Sequence, residues 1–393
     1  MHKIFHIIIF SILFISCSNP VISVKNEKVG KLNATCQLVV SSNKKFVLDD
    51  NTATRPPYIQ ILNNSSEKRI LTFLNPHNNS IYFFDYENST YLKKISYEKE
   101  GSNAILGMAG YYIKNPDSIY IYNRALIEVV LADSTGHVKE RIPLRGKKQE
   151  WSNSHPQYIL NTVCPFIEIL GKLLLTGLSP FCLRSSLIDK FRFTACINLN
   201  NNQLEFHHIY PSDLYGVNAN WDDPIFMQVY PALSSSGELV HSFPVSHDLY
   251  ISKWNSNSAT KVYGGSNVAK TINSIDWDWT SQATPRERVL INYLHQDLYA
   301  AILHDPWRKV YYRFMQQGLP DATANTKIGK KNIIVIIMDE QFKYLGETSI
   351  GKTKEWNWTN SFVTKEGLNI EFIDTEDTEE AFLNFKTFRI ETI

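Results

Sequence analysis

Residues 110–144 read GYYIKNPDSIYIYNRALIEVVLADSTGHVKERIPL, and this stretch decides the predicted fold. Val, Ile and Tyr dominate its apolar segments, whereas Asn, Pro, Asp, Ser and Gly fill the gaps between them. It divides into four short strands, the last one entered through a turn at Asp133–Gly136: Gly110–Lys114, Ser118–Tyr122, Glu128–Leu131 and His137–Leu144. A four-stranded antiparallel unit of this size is typical of one blade of a β-propeller.

Imperfect copies of this unit recur along the chain. Five units share an outer hairpin, in which a polar turn joins two strands; the turns are Asp85–Asn88, Asp133–Gly136, Asn200–Asn202, Asn255–Ser258 and Asp339–Gln341. The sixth unit lacks this hairpin, and we expect the N-terminal segment Cys36–Leu48 to supply its missing strand and close the ring.

The predicted fold class is therefore all-β: a six-bladed β-propeller of four-stranded antiparallel blades. Seven blades result if Cys36–Leu62 forms a blade of its own, and a two-domain β-sandwich is the architectural alternative. The fifth unit is predicted to begin with a strand at Arg288–His295. That segment, Ile70–Leu74 and Gly110–Lys114 are the candidate innermost strands, and they share no acidic position.

Composition restricts the classes of function. The chain of 393 residues has 40 Lys plus Arg against 39 Asp plus Glu, which gives a formal net charge of +1. This balance provides no broad basic surface, so we expect no nucleic-acid partner. A hydrophobic content of 43% is enough for a large buried core.

The N-terminal residues have the features of a targeting signal. Lys3 precedes the apolar segment Ile4–Ile15, which is shorter than the ~20 residues that a membrane-spanning helix needs. Small Ser16 then precedes Cys17, a pattern that resembles a bacterial lipoprotein signal peptide. The resemblance implies cleavage before Cys17 and its lipidation, and several acyl chains would anchor the protein stably in a membrane.

This targeting signal defines the expected domain boundaries. Residues 1–17 are the signal peptide with its lipobox Cys17, residues 18–32 a flexible tether, and residues 33–393 a single propeller domain. Ser18 rather than Asp follows Cys17, and no acidic cluster follows. By resemblance to known sorting rules, this favours an outer-membrane anchor with the body facing the periplasm, while surface exposure stays open.

Two further stretches resemble a known family. One is Lys99–Asn103, which leads through Gly107 and Gly110 to Asp117–Ile119; the other is Asp339–Glu347, followed by Phe362–Leu368. Together with the lipobox they are similar to an uncharacterised family of Bacteroidetes lipoproteins, a domain of unknown function described as a six-bladed propeller. The resemblance implies a fold and a location, but no activity.

No catalytic motif with a demanding spacing occurs: HExxH, paired CxxC, GxSxG, the P-loop and GxGxxG are all absent. His207 and His208 are neighbours in a predicted strand, so their side chains point to opposite faces. His241 and His247 bracket one hairpin. We predict no catalytic residue, no metal site and no cofactor.

The cysteines leave one question open. Besides Cys17, the chain has Cys36, Cys164, Cys182 and Cys196. An oxidising periplasm permits a disulfide among the last three, which fall in one predicted blade. Buried free thiols are the alternative, and no spacing decides between the two.

Tryptophan placement supplies the candidate ligand-binding residues. Six of the eight Trp are predicted to lie between blades, several beside acidic or amide groups. An aromatic plane next to a carboxylate can stack on a sugar ring and accept its hydroxyls, or seat a peptide; the alternative is that these rings wedge neighbouring blades together. The candidates are Trp151, Trp221, Asp222, Trp277, Trp279, Trp356 and Trp358.

Two functions follow from this organisation. The first is a lipid-anchored binding module of the cell envelope, which presents its channel face to a glycan, a peptide or an envelope protein. The second is a propeller enzyme that resembles lactonases or sugar dehydrogenases, with an ion or a quinone at the channel mouth. Fold alone does not separate them, and the missing acidic pattern in the candidate inner strands favours binding.

Overall fold

The structure, a computed structural model, describes residues 21–53, 55–63, 68–145, 156–216, 219–377 and 380–393. Cys17 and Trp151 lie outside the described residues. No helix in the described part of the chain has the length and apolar character to cross a membrane.

Six antiparallel four-stranded sheets form the molecule, and each is one blade of a propeller. The blades follow the chain, with the innermost strand first. Blade one consists of Ile59–Asn63, Arg69–Asn75, Ser80–Asp85 and Thr90–Ser96. Blade two consists of Met108–Asn115, Ser118–Asn123, Glu128–Ala132 and Val138–Pro143. Blade three consists of Ile167–Ile169, Lys172–Thr176, Thr194–Asn198 and Leu204–His207. Blade four consists of Tyr230–Leu233, Leu239–Ser242, Asp248–Ser252 and Thr260–Tyr263. Blade five consists of Leu298–Asp305, Val310–Gln316, Asn332–Asp339 and Tyr344–Lys352. Blade six consists of Trp356–Thr364, Gly367–Phe372, Phe382–Thr392 and Cys36–Val47.

The remaining regular elements lie in the connections. They are the helices Ser212–Tyr215, Pro224–Met227 and Arg286–His295, the 3-10 turn Ile328–Lys330, and a two-stranded sheet of Ser23–Val24 with Ile272–Asn273.

The ring is closed by the N-terminal strand, as the sequence predicts. Cys36–Val47 pairs antiparallel with Phe382–Thr392, from Cys36 opposite Thr392 to Val47 opposite Phe382, with one irregularity after Val40. This pairing gives blade six its outermost strand from the other end of the chain. The count of six blades and the all-β fold class are both confirmed.

The outer hairpins owe their turns to short polar side chains. In blade two, one carboxylate oxygen of Asp133 accepts from the backbone N–H of Thr135 at 2.9 Å and of His137 at 3.2 Å. Gly136 completes the turn at φ 90°, which only glycine adopts at little cost. Asp339 repeats the arrangement in blade five, where it accepts from the backbone N–H of Gln341 and Lys343.

Burial explains the sequence pattern of the strands. In blade five, every residue from Ile333 to Met338 is buried, because both faces of the strand pack against neighbouring blades. Outermost strands face solvent instead, and five of the seven residues in Thr90–Ser96 are exposed in an unbroken run. An inner strand therefore has a continuous apolar run, whereas an outer strand is polar.

Two predictions about segments need correction. Arg288–His295 is a helix, because Tyr293 and Leu294 bury one of its faces and Pro285 stands immediately before its first turn. Ile70–Leu74 belongs to the second strand of blade one rather than the innermost. Two of the three segments that were expected to be innermost strands without a shared acidic position, Arg288–His295 and Ile70–Leu74, are therefore not innermost strands.

The expected flexible tether also needs correction from Ile22 onward. Ser23–Val24 pairs with Ile272–Asn273, and the Asn26 side chain is only 7% exposed. Its amide nitrogen donates to the backbone oxygens of Ser266 and Ala269, so a polar sequence is here fixed to the body by hydrogen bonds.

All four described cysteines are free and buried: Cys36, Cys164, Cys182 and Cys196. Burial raises the pKa of the Cys164 thiol to about 12 and that of Cys196 to about 11. Of the two alternatives for these cysteines, the described residues show buried thiols, which function as small apolar side chains.

Candidate functional site

The propeller axis is filled by the turn that leads into blade three. Thr162 accepts a hydrogen bond from the backbone N–H of Ile59 in blade one at 2.9 Å. Its hydroxyl donates to the side-chain oxygen of Asn360 in blade six at 2.6 Å. Since both partners belong to innermost strands of other blades, Thr162 lies at the centre of the ring.

Neighbouring residues of the turn support this placement. Val163 is fully buried in one apolar cluster with innermost-strand residues of blades four and five: Tyr230, Ala300 and Ala301. Gly110 of blade two has no space for a side chain, because a Cβ atom there would lie 2.8 Å from the Cβ of Leu160. The central channel, whose face the sequence predicts to bind a ligand, is therefore packed with protein at this level.

Trp221 is a packing residue. It is 1% exposed, its indole Nε1 donates to the backbone oxygen of Leu214 at 3.0 Å, and its ring lies 5.9 Å from that of Phe226. Asp222 follows it and is partly exposed. The burial of Trp221 fits the wedge alternative and leaves no ring face for a ligand.

The sequence predicts Trp356 and Trp358 in a connection between blades. They lie instead on the innermost strand of blade six. Trp356 is 7% exposed and packs against Phe372 and Phe388. Trp358 packs against Tyr230 of blade four, with ring centroids 6.0 Å apart. Trp356 therefore packs strands of blade six together, and Trp358 packs blade six against blade four.

Trp277 and Trp279 do lie between blades, in the connection from blade four to blade five. Both are half-buried against the largest apolar cluster. The indole Nε1 of Trp277 donates to the backbone oxygen of Gln282, and the Arg288 guanidinium lies 4.9 Å from its ring centroid. Trp277 and Trp279 pack against the same apolar cluster as Trp221, and the backbone oxygen of Trp277 accepts from the Asn220 side chain. Trp356 and Trp358 belong to a different cluster.

A cleft between the outer parts of blades three and four contains the most distinctive polar group set. Its volume is about 210 Å³. Blade three contributes Phe193 and the segment 208–213 that follows its outermost strand, and blade four contributes side chains from its three outer strands. The blade-four residues that line the cleft include His241, Phe243, Tyr250, Ser252 and Lys261.

His208 is held in one orientation and one tautomer. Its Nε2 lies 3.0 Å from the backbone oxygen of Lys253, which can only accept, so Nε2 carries the proton. Its Nδ1 then accepts from the Thr194 hydroxyl at 2.9 Å. The backbone of His208 has φ 62°, in the left-handed region that eight other described non-glycine residues also adopt.

His241 and Ser252 are two of the described residues whose buried polar side-chain atoms have no hydrogen-bond partner. The Nε2 of His241 and the hydroxyl of Ser252 are buried and have no hydrogen-bond partner, and both residues line the cleft. His241 is 2% exposed and Ser252 is 5% exposed. A buried polar group without a partner costs about 1–3 kcal/mol, so a ligand that bonds to both atoms recovers that energy.

The two histidines of the cleft are neutral at pH 7. Their ring centroids are 4.8 Å apart. Burial lowers the pKa of His208 to about 4 and lowers that of His241 well below its usual value of 6.5. The site thus offers uncharged donors and acceptors.

Aromatic rings form the wall of the cleft, and an ion pair stands at its opening. Phe193 packs edge-on against His241 at 5.3 Å, and Tyr250 packs edge-on against Phe243 at 5.1 Å. At the surface Lys261 pairs with Asp213, and both side chains are about half exposed. These two charges satisfy each other, so the cleft presents no net charge.

In the sequence, the histidines of interest form other pairs, His207 with His208 and His241 with His247. The expectation for His207 and His208 needs correction, because the strand ends at His207 and the two ring centroids are 6.4 Å apart. His208 also meets His241 of the next blade. His247 bonds to the Tyr299 hydroxyl and to the backbone oxygen of Val24, away from His241. In the described residues, no three His, Cys, Asp or Glu side chains are arranged to hold a metal ion.

Larger grooves elsewhere have a different character. One of about 400 Å³ between blades one and two is walled by apolar side chains such as Phe83 and Ile113. Another of about 510 Å³ lies beside Tyr82 and Tyr91. Neither contains one of the unpartnered buried atoms identified among the described residues. A third groove, of about 470 Å³, lies along the helix Arg286–His295 and includes Asn292, whose side-chain oxygen is also buried without a partner. The cleft between blades three and four is lined by two such residues, His241 and Ser252, and is our candidate site.

The fold and this site define a six-bladed β-propeller that carries a small polar cleft between two blades. The chain belongs to the family described as a domain of unknown function, DUF4221, whose model matches residues 35–349. The family resemblance inferred from Lys99–Asn103 and Asp339–Glu347 is thereby confirmed.

Two solved structures have the same fold at low sequence identity. A member of the DUF4221 family from Bacteroides vulgatus matches with a TM-score of 0.74 and 19% identity, over 91% of this chain and 99% of that one. A protein described as exported, from Bacteroides fragilis, matches with a TM-score of 0.55 and 12% identity, over 90% and 95% of the two chains. No curated protein is significantly similar to this chain in sequence.

Proposed function

We propose that this protein is a lipid-anchored, non-catalytic binding module of the cell envelope. Its cleft between blades three and four takes a small neutral ligand rich in hydroxyl groups, such as one sugar ring of a glycan. The anchor is Cys17, and the body faces the periplasm from the outer membrane.

The observation that carries this proposal is the pair of unpartnered atoms, His241 Nε2 and Ser252 Oγ, in one cleft. Folded proteins pair nearly all buried polar atoms, so two unpaired atoms in the lining of one cleft indicate a place where a ligand supplies the partners. A hydroxyl both donates and accepts, so adjacent hydroxyls of one ligand match a ring nitrogen and a serine together.

Charge and shape support the class of ligand. Both histidines are neutral, and Lys261 is already paired with Asp213, so an ionic ligand finds no counter-charge in the cleft. The aromatic wall suits the apolar face of a sugar ring, as in other binding sites that combine aromatic planes with hydrogen-bonding groups.

The enzyme alternative has less support. It requires side chains that converge at the channel mouth, whereas Thr162 and Val163 fill the axis. In the cleft, a histidine whose pKa is as low as about 4 is a weak general base at neutral pH. Binding is therefore the function that the geometry supports best.

The test is calorimetry and thermal unfolding of the protein with a panel of monosaccharides. We expect a neutral sugar to bind and to stabilise the fold, by about 2.7 kcal/mol at 100 times its Kd. The variants Ser252→Ala and His241→Phe should lose this binding, and the control Ser258→Ala, at an exposed position, should keep it. Binding only of uronic acids or amino sugars, or binding unchanged in both cleft variants, would refute the proposal.

The anchor has its own test. Replacement of Cys17 by Ala should release the protein from the membrane fraction, whereas the cleft variants should stay in it. Membrane retention of the Cys17→Ala protein would contradict lipidation without bearing on the cleft.

A further inference from the structure

The N-terminal segment is joined to the body on one side of the propeller. Ile22 and Ser274 exchange two hydrogen bonds of 2.9 Å, and the two-residue strands that follow and precede them pair antiparallel. His247 Nε2 lies 3.2 Å from the backbone oxygen of Val24. The segment is thus attached to the connection between blades four and five.

A buried asparagine fixes the segment further. The Asn26 amide nitrogen donates to the backbone oxygens of Ser266 and Ala269, each at 2.8 Å. Its side-chain oxygen accepts from the Tyr263 hydroxyl at 2.9 Å. With all these groups satisfied, the position and direction of the chain at Ile22 are set by the body.

Chain length then limits where a lipid on Cys17 can be. Cys17 precedes Val21 by four residues, and an extended chain spans at most ~3.6 Å per residue, so the two lie within about 14 Å of each other. This step rests on the lipidation of Cys17 included in the proposed function. Ile22 is hydrogen-bonded to Ser274, and Trp277 follows Ser274 by only three residues, so Val21 lies near the segment that contains Trp277 and Trp279.

The surface at this place combines tryptophan rings with a guanidinium group, next to the exposed carboxylates of Asp276 and Glu287. Trp277 and Trp279 are half-buried, and Arg288 is exposed with its guanidinium over the Trp277 ring. Val21 is 44% exposed. Tryptophan rings favour the headgroup level of a bilayer, and guanidinium groups bind phosphates.

Ala283 is exposed and follows Gln282, whose backbone oxygen accepts from Trp277 Nε1. We propose that the surface formed by Val21, Trp277, Trp279, Ala283 and Arg288 lies against the headgroups of the bilayer that holds the lipid anchor. The propeller then has one fixed orientation. The end of blade five that bears the hairpin Asp339–Gln341 points away from the membrane.

The two ends are far enough apart to be distinguished. The helix Arg286–His295 meets the beginning of the strand Asn332–Asp339, since Lys331 Nζ donates to the backbone oxygen of Tyr293. Gln341 follows the other end of that strand. Eight residues of strand separate the two ends by roughly 25 Å.

The experiment uses the full lipidated chain in vesicles of phosphatidylethanolamine and phosphatidylglycerol that contain a headgroup-nitroxide lipid. Ala283→Cys and Gln341→Cys place an NBD fluorophore at the two ends; both native residues are exposed, and the described native cysteines are buried. We expect the label at residue 283 to be quenched at least about threefold more than the label at residue 341. A nitroxide quenches only fluorophores close to it, and the two ends are roughly 25 Å apart. Equal quenching, or stronger quenching at 341, would overturn the proposed orientation.

Flotation of the same vesicles separates this result from failure of the anchor. Protein that floats and gives equal quenching contradicts only the orientation. Protein that does not float contradicts the lipid anchor, and with it the orientation, but leaves the cleft untouched. Both labelled variants must show the circular dichroism of the unmodified protein.

Discussion

The Thr162 hydroxyl donates a hydrogen bond of 2.6 Å to the side-chain oxygen of Asn360, and this bond crosses the propeller axis. It joins the connection that enters blade three to the innermost strand of blade six. Asn360 in turn donates to the backbone oxygen of Pro56 and to Glu371, each at 2.6 Å. The centre of the ring is therefore held by a polar network.

Removal of this hydroxyl should weaken the ring. Thr162→Val keeps the shape of the side chain but leaves the Ile59 N–H and the Asn360 oxygen without partners. We expect the free energy of unfolding to fall by about 2–4 kcal/mol, measured by urea denaturation. Thr260→Val, at an exposed position of blade four, is the control and should change little. A loss below about 0.5 kcal/mol in Thr162→Val would contradict the role of the turn.

Two buried serines should respond in opposite ways to the same substitution. Ser242 accepts from Arg313 Nε and donates to the backbone oxygen of Ala300, so Ser242→Ala should destabilise the protein by about 1–3 kcal/mol. The hydroxyl of Ser252 has no partner, so Ser252→Ala should leave stability unchanged or raise it slightly. Thermal unfolding without ligand measures both, and a destabilised Ser252→Ala would mean that its hydroxyl has a structural partner.

Arg313 should be indispensable for the contact between blades four and five. It is fully buried, and its guanidinium donates to the Ser242 hydroxyl and to the backbone oxygens of His247, Gly264 and Ser246. Burial lowers its pKa to about 10, so it is still charged at neutral pH. Arg313→Met leaves these acceptors unpaired and should cost about 3 kcal/mol or more. The exposed Arg389→Met is the matched control, and equal stability of the two variants would contradict this account.

Glu371 should make stability fall as pH rises. Burial raises its pKa to about 7, although Asn360 and Asn357 both donate to it. Because the folded state binds the proton more tightly than the unfolded state, the stabilisation is complete below about pH 4.5 and declines until about pH 7. Glu371→Gln removes this dependence, so its advantage over the native protein should grow by about 3 kcal/mol across that window.

The comparison of the two proteins is needed because buried histidines act in the opposite direction. Burial lowers the pKa of His208 and His247 to about 4, so each loses stability as the pH falls below 6.5. These contributions cancel when Glu371→Gln is compared with the native chain at each pH. A constant difference between pH 4.5 and pH 7 would contradict the buried, protonated state of Glu371.

The sequence predicted the blades well because strand and turn patterns are local. The run Gly110–Leu144 and the polar turns at Asp133 and Asp339 encode their structure within a few residues. The closing strand Cys36–Val47 was also predictable, since the last unit lacked one strand. Arg288–His295 failed because its short apolar pattern fits either a strand or one helix face, and tertiary packing of Tyr293 and Leu294 decides it.

The candidate site could not be predicted in the same way. His208 and His241 belong to different blades, so no local spacing indicates that they meet. The tryptophans show the converse problem: Trp356 and Trp358 appeared to precede a strand that in fact includes them. Asn26 looked like part of a flexible segment, because a polar residue gives no sign of the backbone groups that will bind it.

The most direct test of the account is a crystal structure of the protein soaked with the neutral sugar that gives the largest calorimetric response. We predict sugar hydroxyls within about 3.2 Å of both His241 Nε2 and Ser252 Oγ, in the cleft between blades three and four. A cleft that holds only a water molecule bonded to these two atoms, or a sugar bound instead at Trp277 and Trp279, would contradict the central claim.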